Sequence, residues 1–267
     1  MSFTRVTKAV PCPICKHGDW CRVFVDGWAE CMRVQSDRPA RSGGWMWRLQ
    51  GAATPHPRPL PDRGGEGGRK PPTINATRMM REWSAATSPA ELEGLVILLG
   101  VSEASLKAVG AAWAAPHSAW AFPMCDGHGN VVGIRLRNEK GKFAVRGSRQ
   151  GIFLAQVPCQ KTLFVCEGPT DTAAAVELGF FAVGRPNCCC GGAEIRVYAR
   201  SQECARVVVI SDNDKPGLDG ARKVGSELQL PFAVYVPPAK DLREFVRLGG
   251  TRVMIENTLK GTLWRDG

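Results

Sequence analysis

Two sets of side chains in this sequence have the types and spacing to do chemistry. The first lies between residues 162 and 214. Thr162-Leu-Phe-Val-Cys-Glu167-Gly168-Pro-Thr-Asp171 and Val207-Val-Val-Ile-Ser-Asp212-Asn-Asp214 are each an apolar run that ends abruptly in carboxylates. Carboxylate oxygens suit magnesium or manganese rather than zinc. Asp-x-Asp on an extended segment points both acids to one side, because side chains alternate along a strand. Mg²⁺ held by a few carboxylates keeps positions for phosphate oxygens and water, as phosphoryl transfer requires. Gly168, directly after Glu167, lets backbone or substrate approach closely. Glu167, Asp212 and Asp214 are therefore the candidate catalytic metal-site residues. The bland alternative, acids that merely cap the helices beginning near 170 and 217, applies to Asp171 and stays open for Asp212.

The second set is made of sulfur. Cys12-Pro-Ile-Cys15 is a knuckle from which two thiolates of one tight turn can grip a tetrahedral ion, and Cys21 and Cys31 follow within reach. Asp26-Gly27 between two short strand-like runs predicts a hairpin, with Cys21 and Cys31 on its arms. So small a segment has too little core to fold alone, which assigns its stability to a structural Zn²⁺. His17 is the alternative to Cys21 as fourth ligand. Such a closed site presents a surface rather than a reactive water, and Lys16, Arg22 and Arg33 point that surface at nucleic acid. Trp45 and Trp47 either stack on a base or cover the ribbon core; the second is the expectation.

The acids need elements to deliver them. From 162 onward apolar strands at 162–166, 180–183, 206–211 and 232–236 alternate with helices near 170–178, 193–203, 217–229 and from Leu242. That order predicts an α/β parallel sheet with helices on both faces, and the acids fall in the crevice at the strands' carboxyl ends. Gly184 to Gly192 is a loop of small residues, in which Cys188-Cys189-Cys190 stand in for Ser or Gly. Upstream, Ser88-Pro-Ala-Glu91 marks a helix start and Gly100 its end, with Ser102 opening another helix; residues 76–115 are expected to be a helical connector. Residues 119–154 are β-rich. Alternation in Ile134-Arg135-Leu136-Arg137 sets both arginines on one strand face, with Lys142 and Arg146 on the next hairpin, a basic ridge for a phosphate backbone. The expected domains are a zinc ribbon at 1–50, a Pro/Gly-rich flexible linker at 51–75, the connector with the basic subdomain at 76–157, and the acid-bearing sheet at 158–267.

Charge supports the division. Residues 1–157 carry 21 Lys/Arg against 12 Asp/Glu, whereas 158–267 carry 14 against 13, out of a net +10. A basic front and a charge-balanced rear suit a polyanion held by one part and processed by the other. No apolar run nears the roughly 20 residues that span a bilayer, and the N-terminus lacks the apolar core of a signal peptide. A cytoplasmic protein without a membrane partner is expected, and its 11 cysteines are expected to be reduced.

Glu167-Gly-Pro-Thr-Asp171 followed by Asp212-Asn-Asp214 resembles a Toprim domain, a fold shared by primases, topoisomerases and some nucleases. Phe122-Pro123-Met, Val132-Gly133-Ile-Arg135 and Gly151-Ile-Phe resemble the basic N-terminal half of a bacterial or phage primase core, and the ribbon at 12–31 sits where such primases carry a zinc module. The resemblance, to DnaG and phage-type DNA primases, spans nearly the whole chain except the linker. It implies synthesis of short RNA primers on single-stranded DNA from nucleoside triphosphates. Glu167 would be the acid/base or metal-associated carboxylate, Asp212 and Asp214 would hold Mg²⁺ or Mn²⁺, and Asp171 and Asp241 would be secondary acids. Arg135, Arg137, Lys142 and Arg146 would hold template or incoming nucleotide. The ribbon departs from the Cys-x2-His spacing of many primases. No Gly-x4-Gly-Lys-[Ser/Thr] motif occurs, so unwinding is expected from a separate replicative helicase. Two alternatives remain: a Toprim-type nuclease, and a non-catalytic zinc/Toprim nucleic-acid binder of a phage or mobile element. Only Tyr198 and Tyr235 are present, and their place in the sheet region argues against a topoisomerase nucleophile.

Overall fold

The computed structural model describes residues 3–25, 27–38, 40, 44–49, 74–188 and 190–267. Asp26 of the expected hairpin turn, residues 51–73 of the expected linker and Cys189 lie outside the described residues. Two compact units emerge, Met1–Gly68 and Arg69–Gly267.

In the first unit, β1 (Phe3–Arg5), β2 (Arg22–Phe24), β3 (Trp28–Cys31) and β4 (Trp45–Arg48) form one antiparallel sheet in that order. The expected hairpin is the β2–β3 pair, with Arg22 opposite Glu30, and Gly27 takes φ 79° at its turn. Its core is small: Val6, Cys12, Cys21 and Cys31 are buried, with Trp47 packed against them. The Trp47 indole also donates to the Val34 carbonyl, so it covers the ribbon core as expected.

The second unit begins with α1 (Ala76–Ala86), α2 (Pro89–Leu99) and α3 (Glu103–Ala108). Ser88 and Glu91 complete a capping box at the start of α2, and Gly100 ends it in the left-handed region at φ 70°. A four-stranded antiparallel sheet follows: β5 (Ala112–Ala114), β6 (Ala119–Cys125), β7 (Val131–Asn138) and β8 (Gly141–Ala144). Residues 112–114, expected within the helical connector, form β5 because Trp113 pairs with Trp120 across a tight turn. One face of this sheet buries Ala112, Ala121, Ile134 and Leu136 against Ala76 and Met80 of α1.

The acid-bearing half contains β9 (Phe153–Leu154), β10 (Thr162–Glu167), α4 (Gly168–Glu177), β11 (Ala182–Arg185), α5 (Gly192–Ser201), β12 (Arg206–Ile210), α6 (Lys215–Glu227), β13 (Phe232–Tyr235), α7 (Leu242–Arg247) and α8 (Arg252–Lys260). The sheet order is β13-β12-β10-β11-β9. β10 is central, flanked in parallel by β11 and β12, with β13 parallel beyond β12. One strand corrects the expectation of a parallel sheet. β9 runs antiparallel to β11, and it comes from residues expected to belong to the preceding subdomain. The single helix expected from Leu242 is two, because Gly249 adopts φ 87° and Thr251 caps a new start. Apolar clusters fill both faces of the sheet, and α4 is buried over most of its length, with Ala173, Ala174 and Ala175 all enclosed. Among the described residues no helix is long and apolar enough to cross a membrane.

Candidate active site

Register explains why the acids meet. Val165 of β10 pairs with Val209 of β12; two residues further on, Glu167 ends one strand and Ser211-Asp212 follow the other. Gly168 then turns the chain into α4 at φ 78°, a conformation that favours glycine, and a Cβ there would meet open space. Glu167 is the N-cap residue of α4, yet its side chain makes no capping bond. Ser211 N–H donates to the Tyr235 carbonyl and Asn213 N–H to the Lys240 carbonyl, which draws the loop carrying Asp241 toward Asp212.

The acids feel one another. Burial, then the carboxylates of Glu167, Asp241 and Asp214, push the Asp212 carboxyl up to about 6, with Arg185 acting the other way. Burial and Asp241 push Asp171 up to about 7. Asp171 Oδ1 accepts the Arg243 N–H at 3.1 Å, so this acid also fastens the start of α7 to α4. The capping alternative falls elsewhere than on Asp171 or Asp212: Asp214 caps α6 by accepting the Gly217 N–H at 2.7 Å, and Asp241 caps α7 through Glu244 N–H at 2.7 Å. Five acids thus converge in one electrostatic neighbourhood. Arg185 beside Glu167 and Arg243 beside Asp241 offset only part of this charge, and the remaining carboxylate charge fits a hard divalent cation.

Arg185 was not among the expected site residues. It is fully buried, the register partner of Glu167, with Nη2 at 3.8 Å from Glu167 Oε2. Nη2 also donates to the Ile210 carbonyl at 3.2 Å, and Nη1 to Cys188 O. One guanidinium therefore ties β10, β12 and the backbone at Cys188 together at the mouth of the sheet. Its sequence context, Gly184-Arg-Pro-Asn, reads as loop; only the parallel pairing with β10 reveals a buried cation.

The basic residues separate into two groups. Lys142 and Arg146 are exposed. Arg137 is half-buried and donates to Thr170 Oγ1 at 3.0 Å, where burial and Arg243 oppose its charge and Asp171 and Asp241 favour it. Arg135 turns inward, its guanidinium 6.0 Å from the Phe153 ring centre and Nη2 3.9 Å from Met124 Sδ. The exposed ridge is thus shorter than the alternation predicts, because β9 covers Arg135.

In the ribbon unit, the ligand atoms of Cys12, Cys15, Cys21 and Cys31 all lie within 4.8 Å of one another. Cys15 and Cys21 sulfurs are 3.7 Å apart and Cys21 and Cys31 sulfurs 4.0 Å. A tetrahedron with Zn–S bonds of about 2.3 Å has edges of about 3.8 Å, so the quartet fits zinc. His17 is not part of this quartet. Among the described residues no other group of three or more such side chains comes that close together; the acid cluster is looser than the sulfur site.

No protein-family model matches the sequence, and no curated protein does. Solved structures do match. The DnaG catalytic core aligns at a TM-score of 0.54 with 16% identity, over 71% of this chain and 80% of that one. The fold is that of a primase core. The E. coli primase catalytic core aligns at 0.54 with 15% identity, over 71% and 78% of the two chains. The primase fragment of the bacteriophage T7 primase-helicase protein aligns at 0.50 with 18% identity, over 96% of this chain and 99% of that one. The last likeness takes in the ribbon as well as the primase-core unit.

Proposed function

We propose that this chain is a DNA primase whose five-stranded sheet is a Toprim domain, joining ribonucleotides on a single-stranded DNA template. The observation that carries the proposal is the convergence of Glu167, Asp212 and Asp214 at the carboxyl ends of two adjacent parallel strands, within a primase-core fold. Asp212 and Asp214 would hold Mg²⁺ or Mn²⁺, with Asp171 and Asp241 as the second rank of acids. The bound cation supplies charge stabilisation for the phosphoryl oxygens in the transition state. Glu167, which makes no capping bond and pairs with Arg185, would take the proton of an attacking hydroxyl. Arg137, Lys142 and Arg146 would bind phosphates, and the cysteine ribbon, folded by Zn²⁺, would meet the template. A separate helicase would supply single-stranded DNA.

The test is direct. The protein is incubated with single-stranded DNA, labelled nucleoside triphosphates, Mg²⁺ and a helicase, beside an Asp212→Ala/Asp214→Ala variant. Short RNA products that vanish in the variant are expected. Template cleavage would assign the site to a nuclease instead, and binding with neither product would leave a non-catalytic nucleic-acid binder.

A further inference from the structure

The acids gather where β10 and β12 finish, but a separate cavity of about 500 Å³ opens where these strands begin. Thr162 and Glu167 stand at opposite ends of β10, about 16 Å apart at about 3.3 Å per residue. The cavity is therefore distinct from the crevice that holds the acids. Register builds its floor. Thr162 lies opposite Arg206 and Phe164 opposite Val208, and residues two apart on a strand share a face. These four side chains form one patch, over which α8 passes. Phe164 stacks on Phe180 with ring centres 3.9 Å apart, and Leu259 and Trp264 complete an apolar wall.

Four cations and a single acid line the cavity: Lys161, Arg206, Arg252 and Lys260 against Glu256. Two of the cations are already engaged. Arg252 pairs with Glu256 at 2.7 Å, donates to the Gly179 carbonyl at 2.7 Å and lies over the Phe180 ring. Lys161 reaches the Glu203 carboxylate at 3.7 Å. Arg206 and Lys260 have only neutral partners among the described residues. Arg206 donates through Nε to Thr162 Oγ1 at 2.9 Å, and its guanidinium lies over Trp264, 4.7 Å from the ring centre. A guanidinium stacked on an indole has its face covered and its edge of N–H donors left, the geometry that grips a phosphate. Lys260 Nζ donates to Asn257 Oδ1 at 2.9 Å. Gln160 Nε2 is held by the Gly179 carbonyl at 3.0 Å, which leaves its Oε1 as an acceptor at the cavity wall. The volume is that of a small-molecule site. Aromatic walls, a polar edge and two uncommitted cations suit a planar ring that carries a phosphate.

We propose that this cavity is a second ligand site, for a free mononucleotide, with the phosphate on Arg206 and Lys260 and the ring among Trp264, Leu259 and the Phe164–Phe180 floor. The inference stands apart from the primase reading, because no residue of the acid cluster or of the basic β7–β8 face lines the cavity.

Anisotropy of a fluorescent AMP analogue, with EDTA present, tests it without any primer synthesis. Saturable binding is expected, weakened about 10- to 100-fold in Arg206→Ala by loss of a charge-assisted phosphate contact and several-fold in Lys260→Ala. Arg206→Lys, which keeps the charge without the planar fork, should fall between wild type and Arg206→Ala. Lys223→Ala, an exposed change on α6, should leave binding as it is. Unlabelled AMP should displace the probe, with inorganic phosphate and adenosine far less effective. Displacement by phosphate alone as good as by AMP would reduce the cavity to a bare anion site and overturn the proposal. Oligo(dT) that displaces the probe at a lower nucleotide concentration than AMP would assign the surface to a nucleic-acid strand and overturn it too. So would a wild type without saturable binding, or unchanged binding by folded Arg206→Ala and Lys260→Ala. If Arg206→Ala fails to fold, the exposed change Lys260→Ala decides alone.

Discussion

Replacing Arg185 by methionine isolates what a buried guanidinium contributes at the mouth of the sheet. Methionine roughly matches its reach but has neither charge nor donors. Glu167, at 3.8 Å, would lose its partner, and the Ile210 and Cys188 carbonyls would lose theirs. Removing one member of a buried ion pair costs about 3–5 kcal/mol. Glu167 keeps 23% side-chain exposure, so water screens part of that cost and the lower figure, about 3 kcal/mol, is expected. In a unit of this size each kcal/mol shifts Tm by about 2–4 °C, which gives a fall of about 6–12 °C for the metal-free variant. The acid cluster would then carry one more uncompensated negative charge, because Arg185 opposes the repulsion that raises Asp212. A cation that binds only the folded state stabilises it in proportion to its affinity. Mg²⁺ is therefore expected to raise Tm more in Arg185→Met than in the wild type, with Arg185→Lys between them. Calorimetry with EDTA and with Mg²⁺ measures both effects. An equal Mg²⁺ increment in all three proteins would refute electrostatic coupling between Arg185 and the acids. An unchanged Tm in EDTA would refute the buried pair as a source of stability.

Two further outcomes are expected. Cys31→Ser, or a strong zinc chelator, should abolish the ordered structure of the ribbon while leaving the melting transition of residues 69–267 in place; circular dichroism with calorimetry checks this, and simultaneous loss of both would contradict a separately stabilised unit. In metal-free protein, folded Asp171 and Asp212 hold protons up to about 7 and about 6, whereas unfolded aspartates release them near about 3.9. The folded state then binds more protons between those limits, so stability should fall as pH rises from about 4 to about 7. Asp171→Asn should flatten that fall in urea titrations, and stability that rises through the window would count against the raised values.

The acids were legible because each sits at the end of an apolar run, and an apolar run that stops at carboxylates is a buried strand arriving at a polar mouth. Helix starts were equally legible at Ser88 and Ser102, where capping is a local interaction between residues three apart. What escaped depended on partners distant in sequence. Arg185 is buried because it pairs with Glu167, Arg135 points inward because Phe153 covers it, and β5 exists because Trp120 lies across from Trp113. None of these facts is written in its own neighbourhood. The split between α7 and α8 was visible as Gly249-Gly250-Thr251, and a Cβ at Gly250 would strike the Phe245 ring.

The antiparallel edge strand also limits how this architecture can be divided or transplanted. Phe153 and Leu154 cover the open side of β11, and the neighbouring Ile152 exchanges backbone hydrogen bonds with Cys125 at the end of β6. The two sheets are therefore stitched together through three consecutive residues. A fragment that starts at residue 158 would leave β11 as a bare hydrophobic edge, the kind of surface that recruits foreign strands. Any graft of the acid-bearing half onto another protein has to bring 152–154 with it, and with them the tie between the four-stranded sheet and the acid-bearing one.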